Sequence, residues 1–282
     1  MKYENFIETS FDGLELFMQY WAPDGQAKGV ICLVHGIGEH SSRYEHVAEK
    51  LVDSRYVMLA SDLRGCGKSQ GKHGQIPSYD ALLEDIELLL NTAARLFPNL
   101  LVVLYGHSLG GSLVLYYEMV RENKLLGLIC TSPWFRLVDE MPGFVVGLIR
   151  FLYWIIPGFI ISSGLDPKKV SRDKSVVEKY KSDPLVHDKT SFRVYIQFTD
   201  AARYIMENPG KISLPVLLMH GSDDLITDPK SSEELYNMNK EKISFKLWDG
   251  LHHETHNEPE KDEVLTFLVQ WLDNLYSQKA EK

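Results

Sequence analysis

Residues 100–120 contain the feature that most restricts the fold of this chain, a strand and a helix joined by a sharp turn. An apolar, β-branched run at 100–105 predicts the strand, and residues 112–120 predict the helix. Between them lies Gly106-His107-Ser108-Leu109-Gly110, whose glycines allow neighbouring backbone to approach closely. A serine on such a turn has its hydroxyl exposed at the end of the strand. Ser108 is therefore the candidate nucleophile.

A second Gly-x-Ser-x-Gly match, Gly67-Lys68-Ser69-Gln70-Gly71, lacks that context. No strand runs directly into it, and the polar residues after it do not begin a helix. Its Gly-Lys-Ser also resembles the end of a phosphate-binding loop, but such a loop needs a glycine where this chain has Asp62. Residues 67–71 are therefore predicted to form a structural loop.

Predicted strands and helices alternate from residue 30 to residue 130. This pattern is typical of a parallel sheet with helices on both faces, whose ligand sites lie at the carboxyl ends of the strands. An Asp12-Gly13 turn predicts an antiparallel hairpin before it, and Ser42 with Glu45 predicts a capping box at the first helix. We therefore expect an α/β fold with a mostly parallel central sheet. The predicted parallel strands lie at 30–34, 56–60, 100–105, 125–130, 214–220 and 243–247.

The alternation breaks after residue 130. The next predicted strand starts only at residue 214, whereas a strand–helix–strand repeat needs roughly 30 residues. We therefore expect an inserted helical cap at 135–210, and a core formed by 1–134 together with 211–282.

The front half of this insertion, residues 144–161, is unusually apolar. It is about as long as the shortest membrane-spanning helix. Arg150 near its middle and Pro157-Gly158 within it argue against a span. Two interpretations stay open: cap helices that cover a pocket and touch a membrane surface, or a plain buried helix.

The overall charge limits the partners of the chain. Its 282 residues carry a net charge of −9, which argues against nucleic acid and against simple electrostatic attraction to anionic lipid. The N-terminal residues lack the apolar segment of a signal peptide, so we expect a cytoplasmic protein. Cys32, Cys66 and Cys130 have no metal-type spacing and are predicted to be free thiols. The sequence implies no cofactor and no particular oligomeric state.

A serine nucleophile needs a histidine to take its proton and a carboxylate to orient that histidine. Carboxylate candidates follow one predicted strand, and histidine candidates follow the last one. Spacing alone does not choose between adjacent residues on a loop. A zinc site would require thiolates or a His-Glu-x-x-His pattern, and the sequence has neither arrangement. The candidates are Asp223, Asp224, His252, His253 and His256.

These motifs together resemble the α/β-hydrolase superfamily, and within it the monoacylglycerol lipase and lysophospholipase-like serine hydrolases. The resemblance covers both halves of the predicted core, while the cap matches only loosely. Methionine often follows the nucleophile in this family, and Leu109 stands there in this chain. The matching segments are His35-Gly-Ile-Gly-Glu-His-Ser-Ser-Arg-Tyr44, Asp62-Leu-Arg-Gly-Cys-Gly-Lys-Ser-Gln-Gly71, Gly106-His-Ser-Leu-Gly-Gly111, His220-Gly-Ser-Asp-Asp224 and Asp249-Gly-Leu-His-His253.

The resemblance selects among the candidate residues. Its Gly-Ser-x-Asp pattern implies Asp224 as the acid, and its Gly-x-x-His pattern implies His253 as the base. It also implies an oxyanion hole formed by the backbone N–H groups of Ile37 and Leu109. Residues that match the glycerol-binding positions of the family are Glu39, Arg43 and His256. An alternative for the first two is a local ion pair at the start of a helix.

The sequence therefore predicts a serine hydrolase that acts on carboxylic esters without a cofactor. The apolar cap suggests a medium or long acyl chain and a peripheral contact of the cap with a membrane. The resemblance implies monoacylglycerol as the substrate. Alternatives of the same fold are a lysophospholipase, a general carboxylesterase or an acyltransferase. An alternative of another class is a non-catalytic scaffold that binds lipid or protein, although such scaffolds usually lack a member of the Ser-His-Asp set.

Overall fold

The computed structural model describes residues 1–280 and contains a central sheet of eight strands in the order β1-β2-β4-β3-β5-β6-β9-β10. β1 pairs antiparallel with β2, and β2 pairs antiparallel with β4, while the remaining neighbours are parallel. The predicted mostly parallel α/β sheet is confirmed. The strands are β1 Lys2–Thr9, β2 Glu15–Ala22, β3 Gly29–Val34, β4 Tyr56–Ser61, β5 Val102–His107, β6 Gly127–Thr131, β9 Val216–Gly221 and β10 Ile243–Trp248.

Helices cover both faces of this sheet, because the parallel strands alternate their apolar side chains between two buried layers. In β5, Leu104 points into one layer while Val103 and Tyr105 point into the other. The first layer packs against α2, α3 and α7, and the second against α1 and α8. These helices are α1 Glu45–Asp53, α2 Tyr79–Leu96, α3 Leu109–Val120, α7 Pro229–Met238 and α8 Lys261–Ala280.

The residues between β6 and β9 form a group of smaller elements. α6 packs against α3 of the sheet layer, and α4 packs on α6. A short antiparallel pair, β7 with β8, links the two ends of this group. The elements are α4 Gly143–Ile155, β7 Ile160–Ser162, α5 Lys174–Ser182, β8 Lys189–Ser191 and α6 Phe192–Glu207.

The apolar run at 144–161 forms most of α4, which ends at Ile155 before Pro157, and its last two residues belong to β7. Ile149 is the one residue of α4 that is fully buried, whereas Phe144 is 80% and Trp154 82% exposed. The interpretation as a plain buried helix is therefore wrong. None of the helices within residues 1–280 combines the length and apolarity that a membrane crossing requires.

The predicted capping box at Ser42 and Glu45 is also wrong. Residues Ser41–Tyr44 form a 3₁₀ turn, and Tyr44 precedes α1 without a side-chain cap. The hydroxyl of Ser42 instead accepts a hydrogen bond from Nε2 of Gln19, at 3.1 Å. A tertiary contact to β2 thus takes the place of the local one.

Candidate active site

Ser108 lies on the turn between β5 and α3. Its backbone dihedral angles are φ 53° and ψ −119°, a combination that residues with a Cβ rarely adopt. Hydrogen bonds hold it there, since its N–H donates to the carbonyl of Thr131 at 2.9 Å and its carbonyl accepts from Gly111 at 3.0 Å. A Cβ on Gly106 would lie 2.2 Å from the carbonyl oxygen of Gly110, so only glycine fits there. The sequence turn is therefore a strained, tightly packed elbow.

Asp224 and His253 meet at the carboxyl ends of β9 and β10. Nδ1 of His253 donates a hydrogen bond to Oδ2 of Asp224, at 2.7 Å. The His253 ring lies 4.8 Å from the ring of His107, the residue before Ser108. The pair is thus the one that the resemblance selected, although a catalytic role for either residue stays a prediction.

The rival residues in the same loops make different contacts. Asp223 is exposed and accepts a hydrogen bond from the hydroxyl of Ser222 at 3.0 Å, whereas Asp224 is buried. His252 is half-buried, and its Nδ1 has no hydrogen-bond partner within residues 1–280. Of the adjacent candidates, the structure brings together Asp224 and His253.

Several donors converge on the Asp224 carboxylate. Oδ1 accepts the backbone N–H groups of Ile226 and Thr227, at 2.7 and 3.0 Å. Oδ2 accepts the Thr227 hydroxyl at 2.8 Å and Nε2–H of His220 at 3.0 Å, besides His253. Burial by itself would raise the pKa of Asp224, but the histidine charges and hydrogen bonds outweigh it and lower that pKa. The carboxylate is therefore held ionised and in one orientation.

The contact between Asp224 and His253 raises the pKa of His253, although it lowers that of Asp224. Burial would lower the pKa of this histidine, but the Asp224 charge and hydrogen bond, with the charges of Glu254 and Glu39, raise it. Because Nδ1–H points to Asp224, Nε2 is the ring nitrogen left to accept a proton. This is the tautomer that a general base needs.

The turn after β3 lies against the elbow. A Cβ on Gly36 would lie 3.2 Å from Cβ of Ser108, so the two backbones approach closely. Within residues 1–280, the N–H groups of Ile37 and Leu109 donate no hydrogen bond, and Leu109 opens α3, where N–H groups point outward from the helix end. Two free backbone donors beside Ser108 fit the predicted oxyanion hole, which stays a prediction.

A pocket opens at Ser108 beneath the inserted elements. Ile37 and Ser108 line it from the sheet side, and apolar side chains that include Trp134, Met141 and Tyr195 line it from the segment after β6. Its walls are suited to an apolar ligand.

Glu39, Arg43 and His256 lie outside this pocket lining. Glu39 and His256 are buried, and the side chain of Arg43 is 10% exposed. Arg43 donates to Glu39 Oε2 at 2.5 Å and to both carboxylate oxygens of Glu254 at 2.7 Å. The ring of His256 stacks on Tyr44, with centroids 4.7 Å apart. The ion pair that the sequence offered as an alternative is thus present, and substrate binding by these residues stays a prediction.

Sequence reasoning missed three residues around this site. His220 and Thr227 both bond Asp224, and Glu254 bonds Arg43. His220 and Thr227 lie four residues before and three residues after Asp224, so a local search for donors near that carboxylate would have found them. No local signal pairs Glu254 with Arg43, which is distant in the chain.

Comparisons with known proteins show the family to which this chain belongs. The family described as "Serine aminopeptidase, S33" matches residues 25–260. An uncharacterized abhydrolase domain-containing protein of Dictyostelium discoideum is 34% identical over 91% of this chain, which spans only 27% of that relative. A monoacylglycerol lipase of Mycolicibacterium smegmatis is 30% identical, with 92% of this chain and 93% of the relative covered.

A solved structure extends the similarity to three dimensions. The crystal structure of a Paleococcus ferrophilus monoacylglycerol lipase is 33% identical and superposes with a TM-score of 0.84. The match covers 93% of this chain and 98% of that one. The likeness therefore includes the inserted elements as well as the sheet.

Proposed function

The chain belongs to the Serine aminopeptidase, S33 family of hydrolases, and we propose that it releases fatty acids from monoacylglycerols as a serine carboxylic-ester hydrolase. The resemblance to monoacylglycerol lipases noted in the sequence is confirmed by relatives of that name. The observation that carries the choice of substrate is the position of Ser108 in the lining of a pocket whose wall surface is more apolar than polar.

In the proposed mechanism, Oγ of Ser108 attacks the ester carbonyl carbon while Nε2 of His253 takes the hydroxyl proton. Asp224 orients His253 and stabilises its protonated form. The N–H groups of Ile37 and Leu109 stabilise the negative charge on the carbonyl oxygen. His253 then protonates the departing glycerol oxygen, which leaves an acyl group on Ser108. Water, deprotonated by His253, attacks this acyl-enzyme and releases the fatty acid.

We assign the acyl chain to the pocket beneath a cap formed by residues 135–210. Support comes from the pocket walls contributed by Met141, Ile161 and Tyr195 of that segment. The core in this proposal comprises residues 1–134 and 211–282. An apolar cap favours medium or long chains because each buried methylene contributes about 0.8 kcal/mol of binding.

The glycerol end is assigned to Glu39, Arg43 and His256, as the resemblance implies. Each of these residues makes internal contacts in the present conformation, so direct binding requires the network around Arg43 to open. Replacing glycerol by ethanol in the ester tests this assignment. If these residues contact the glycerol hydroxyls, KM should be higher for the ethyl ester than for the glycerol ester. Glu39→Gln should largely abolish this difference in KM.

We also propose a peripheral contact between α4 and a lipid surface. Phe144, Leu148, Phe151 and Ile155 recur at helical spacing and are all exposed, and α4 carries no acidic residue. Arg150 is paired with Asp200 at 2.7 Å, which leaves this stripe without a free charge. The proposed location is cytoplasmic, in keeping with three unpaired cysteines.

The experiment that tests the proposed function compares glycerol monoesters from short to long acyl chains, with lysophosphatidylcholine and a p-nitrophenyl ester alongside. Ser108→Ala is the matched control, and it should lower kcat at least about a thousandfold with the fold intact. We expect the highest kcat/KM on medium or long monoglycerides. A maximum on lysophosphatidylcholine or on short esters would retain the serine mechanism and overturn the substrate assignment. No hydrolysis of any ester would favour the non-catalytic scaffold.

A further inference from the structure

The carboxylate of Asp224 is shared by two imidazoles. Oδ2 lies 2.7 Å from Nδ1 of His253 and 3.0 Å from Nε2 of His220, the penultimate residue of β9. His220 is completely buried, and the proposed mechanism gives it no part.

The contacts of His220 fix where its proton lies. Nε2 lies 3.0 Å from the Asp224 carboxylate and 3.2 Å from both the carbonyl oxygen and the hydroxyl oxygen of Thr227. The Thr227 hydroxyl donates its own hydrogen to Asp224, so the three oxygens act as acceptors towards Nε2, and this nitrogen carries a hydrogen. Nδ1 lies 2.8 Å from the hydroxyl of Ser232, which is buried in α7 and can donate to it. The ring is therefore held at both nitrogens, with its Nε2–H aimed at the carboxylate.

We propose that His220 is a positioning residue that donates Nε2–H to Oδ2 of Asp224. This hydrogen bond partly neutralises the charge on Oδ2, so the carboxylate stabilises protonated His253 less strongly. The inference rests on the proposed function, in which His253 is the base. Oδ1 is already fixed by two backbone N–H groups, so the main effect of His220 is on the charge at Oδ2 rather than on the rotamer of Asp224. His220 touches neither the substrate nor Ser108 in this proposal.

The loss of this donor has a predictable direction. With one donor fewer on Oδ2, the carboxylate is more basic and stabilises the protonated form of His253 more strongly. The pKa of His253 then rises, and the acid limb of the kcat/KM profile moves to higher pH. At pH above that limb His253 is deprotonated in both proteins, so kcat should change only a few-fold.

Other ionisable groups also act on His253. None of them contacts His220, so a substitution at 220 leaves them in place. They are Glu254, Glu39, His107 and His256.

Substitution of His220 by Gln or by Asn distinguishes its contact with Asp224 from its contact with Ser232. In Gln the amide nitrogen is as many bonds from Cα as Nε2 is, so His220→Gln can keep the donor to Asp224. In Asn the amide corresponds to Nδ1, so His220→Asn can keep only the contact with Ser232. His220→Leu removes both contacts.

The test measures kcat/KM against pH on a p-nitrophenyl ester for the wild type and the three variants. We expect the acid limb of the Asn and Leu variants to move to higher pH by about 0.5 to 1 pH unit, as for the loss of a charge-assisted hydrogen bond. The acid limb of the Gln variant should coincide with that of the wild type within error. Thermal unfolding of all four proteins shows how far each substitution affects folding. A role in folding alone would lower Tm and leave the acid limb unmoved in every variant.

A second readout does not depend on turnover. The proton between His253 and Asp224 gives a strongly deshielded ¹H NMR signal, and its titration reports the pKa of His253 in the folded protein. If the wild type hydrolyses no ester, the proposed function fails while this titration still tests His220. The inference is overturned if the Asn, Leu and Gln variants all titrate like the wild type, or if the Gln variant shifts as much as the Asn variant.

Discussion

Nη1 and Nη2 of Arg43 each lie 2.7 Å from a carboxylate oxygen of Glu254, the residue that directly follows His253. Nη1 also donates to Glu39, two residues after Ile37. One buried guanidinium therefore ties the loop that presents the predicted base to the turn that carries a predicted oxyanion donor. Two carboxylates depend on this single cation, because the side chains of both are 3% exposed.

The first prediction concerns the stability that Arg43 provides. Arg43→Leu leaves the buried carboxylates of Glu39 and Glu254 without their cation, and it should lower the free energy of unfolding by about 3–5 kcal/mol. Urea denaturation measures the change. The matched control is Arg136→Leu, whose partners Glu234 and Asp228 keep 48% and 19% of their side chains exposed. It should change stability by about 1 kcal/mol or less. Equal losses in the two variants would contradict a special role for the buried pair.

The second prediction follows from the raised pKa of His253. Protonated His253 cannot act as a base, so kcat/KM should fall as pH decreases through a value above the ordinary histidine pKa of about 6.5. Without the Asp224 carboxylate, burial dominates and lowers the pKa of His253. Asp224→Asn should therefore move the acid limb to lower pH and lower kcat about 10³–10⁴-fold.

The same shifts set the pH dependence of stability. His253 contributes stability that is fully present below its unfolded pKa and is lost as pH rises through the higher folded value. Asp224 contributes stability above its unfolded pKa, which is lost as pH falls towards the lower folded value. The control for both the kcat/KM profile and the dependence of stability on pH is Asp223→Asn, because within residues 1–280 that exposed carboxylate hydrogen-bonds only to Ser222. An unchanged acid limb in Asp224→Asn would contradict the assignment of this pair.

The third prediction concerns the packing of the elbow. A Cβ on Gly110 would lie 2.2 Å from the carbonyl oxygen of Val34 and 2.5 Å from that of His35, and neither backbone atom can move easily. Gly110→Ala should therefore lower stability by at least about 1–3 kcal/mol and displace Ser108, which lowers kcat. Gly147→Ala is the control, since within residues 1–280 no heavy atom outside the neighbouring helix backbone lies within 4 Å of a Cβ at that position. Alanine also favours the interior of α4. Wild-type kcat and Tm in Gly110→Ala would refute this reading of the turn.

The sheet could be predicted from the sequence because most of the parallel strands are nearly continuous apolar runs and β10 alternates apolar with polar residues. The apolar residues at 214–220 and 243–247, for example, became β9 and β10 with small shifts of their ends. The turn residues after them could be predicted as a class, since parallel strands end at one edge of the sheet. The resemblance was needed to choose Asp224 over Asp223, because two neighbours on one loop differ in burial and not in spacing.

Long-range contacts account for what the sequence did not predict. The pairing of Arg43 with Glu254 joins residues far apart in the chain, and local patterns carry no signal for it. The capping box at Ser42 failed for the same reason, because Gln19 of β2 supplies a competing partner. The exposed side of α4 was undecidable from hydropathy alone, since an apolar helix can pack inward or face a lipid surface with the same composition.

The last prediction tests that surface. Replacing Phe144, Leu148 and Phe151 by serine removes the exposed apolar stripe of α4 and should weaken binding to phosphatidylcholine vesicles at least about tenfold, since each such side chain contributes roughly 1.5–3 kcal/mol when buried. Vesicle flotation measures binding. Hydrolysis of a soluble p-nitrophenyl ester should stay unchanged, while hydrolysis of monoacylglycerol embedded in vesicles should fall.

A matched control is available in β1, an edge strand of the sheet. Ile7 and Phe11 are exposed apolar residues in β1 and the turn after it, and their replacement by serine should leave vesicle binding intact. Because the α4 stripe carries no free charge, binding of the wild type should also persist as salt is raised. Equal losses of vesicle binding in the two sets of variants would indicate nonspecific hydrophobic adsorption. Binding that weakens with salt would indicate charged residues elsewhere. Either result would overturn the assignment of α4.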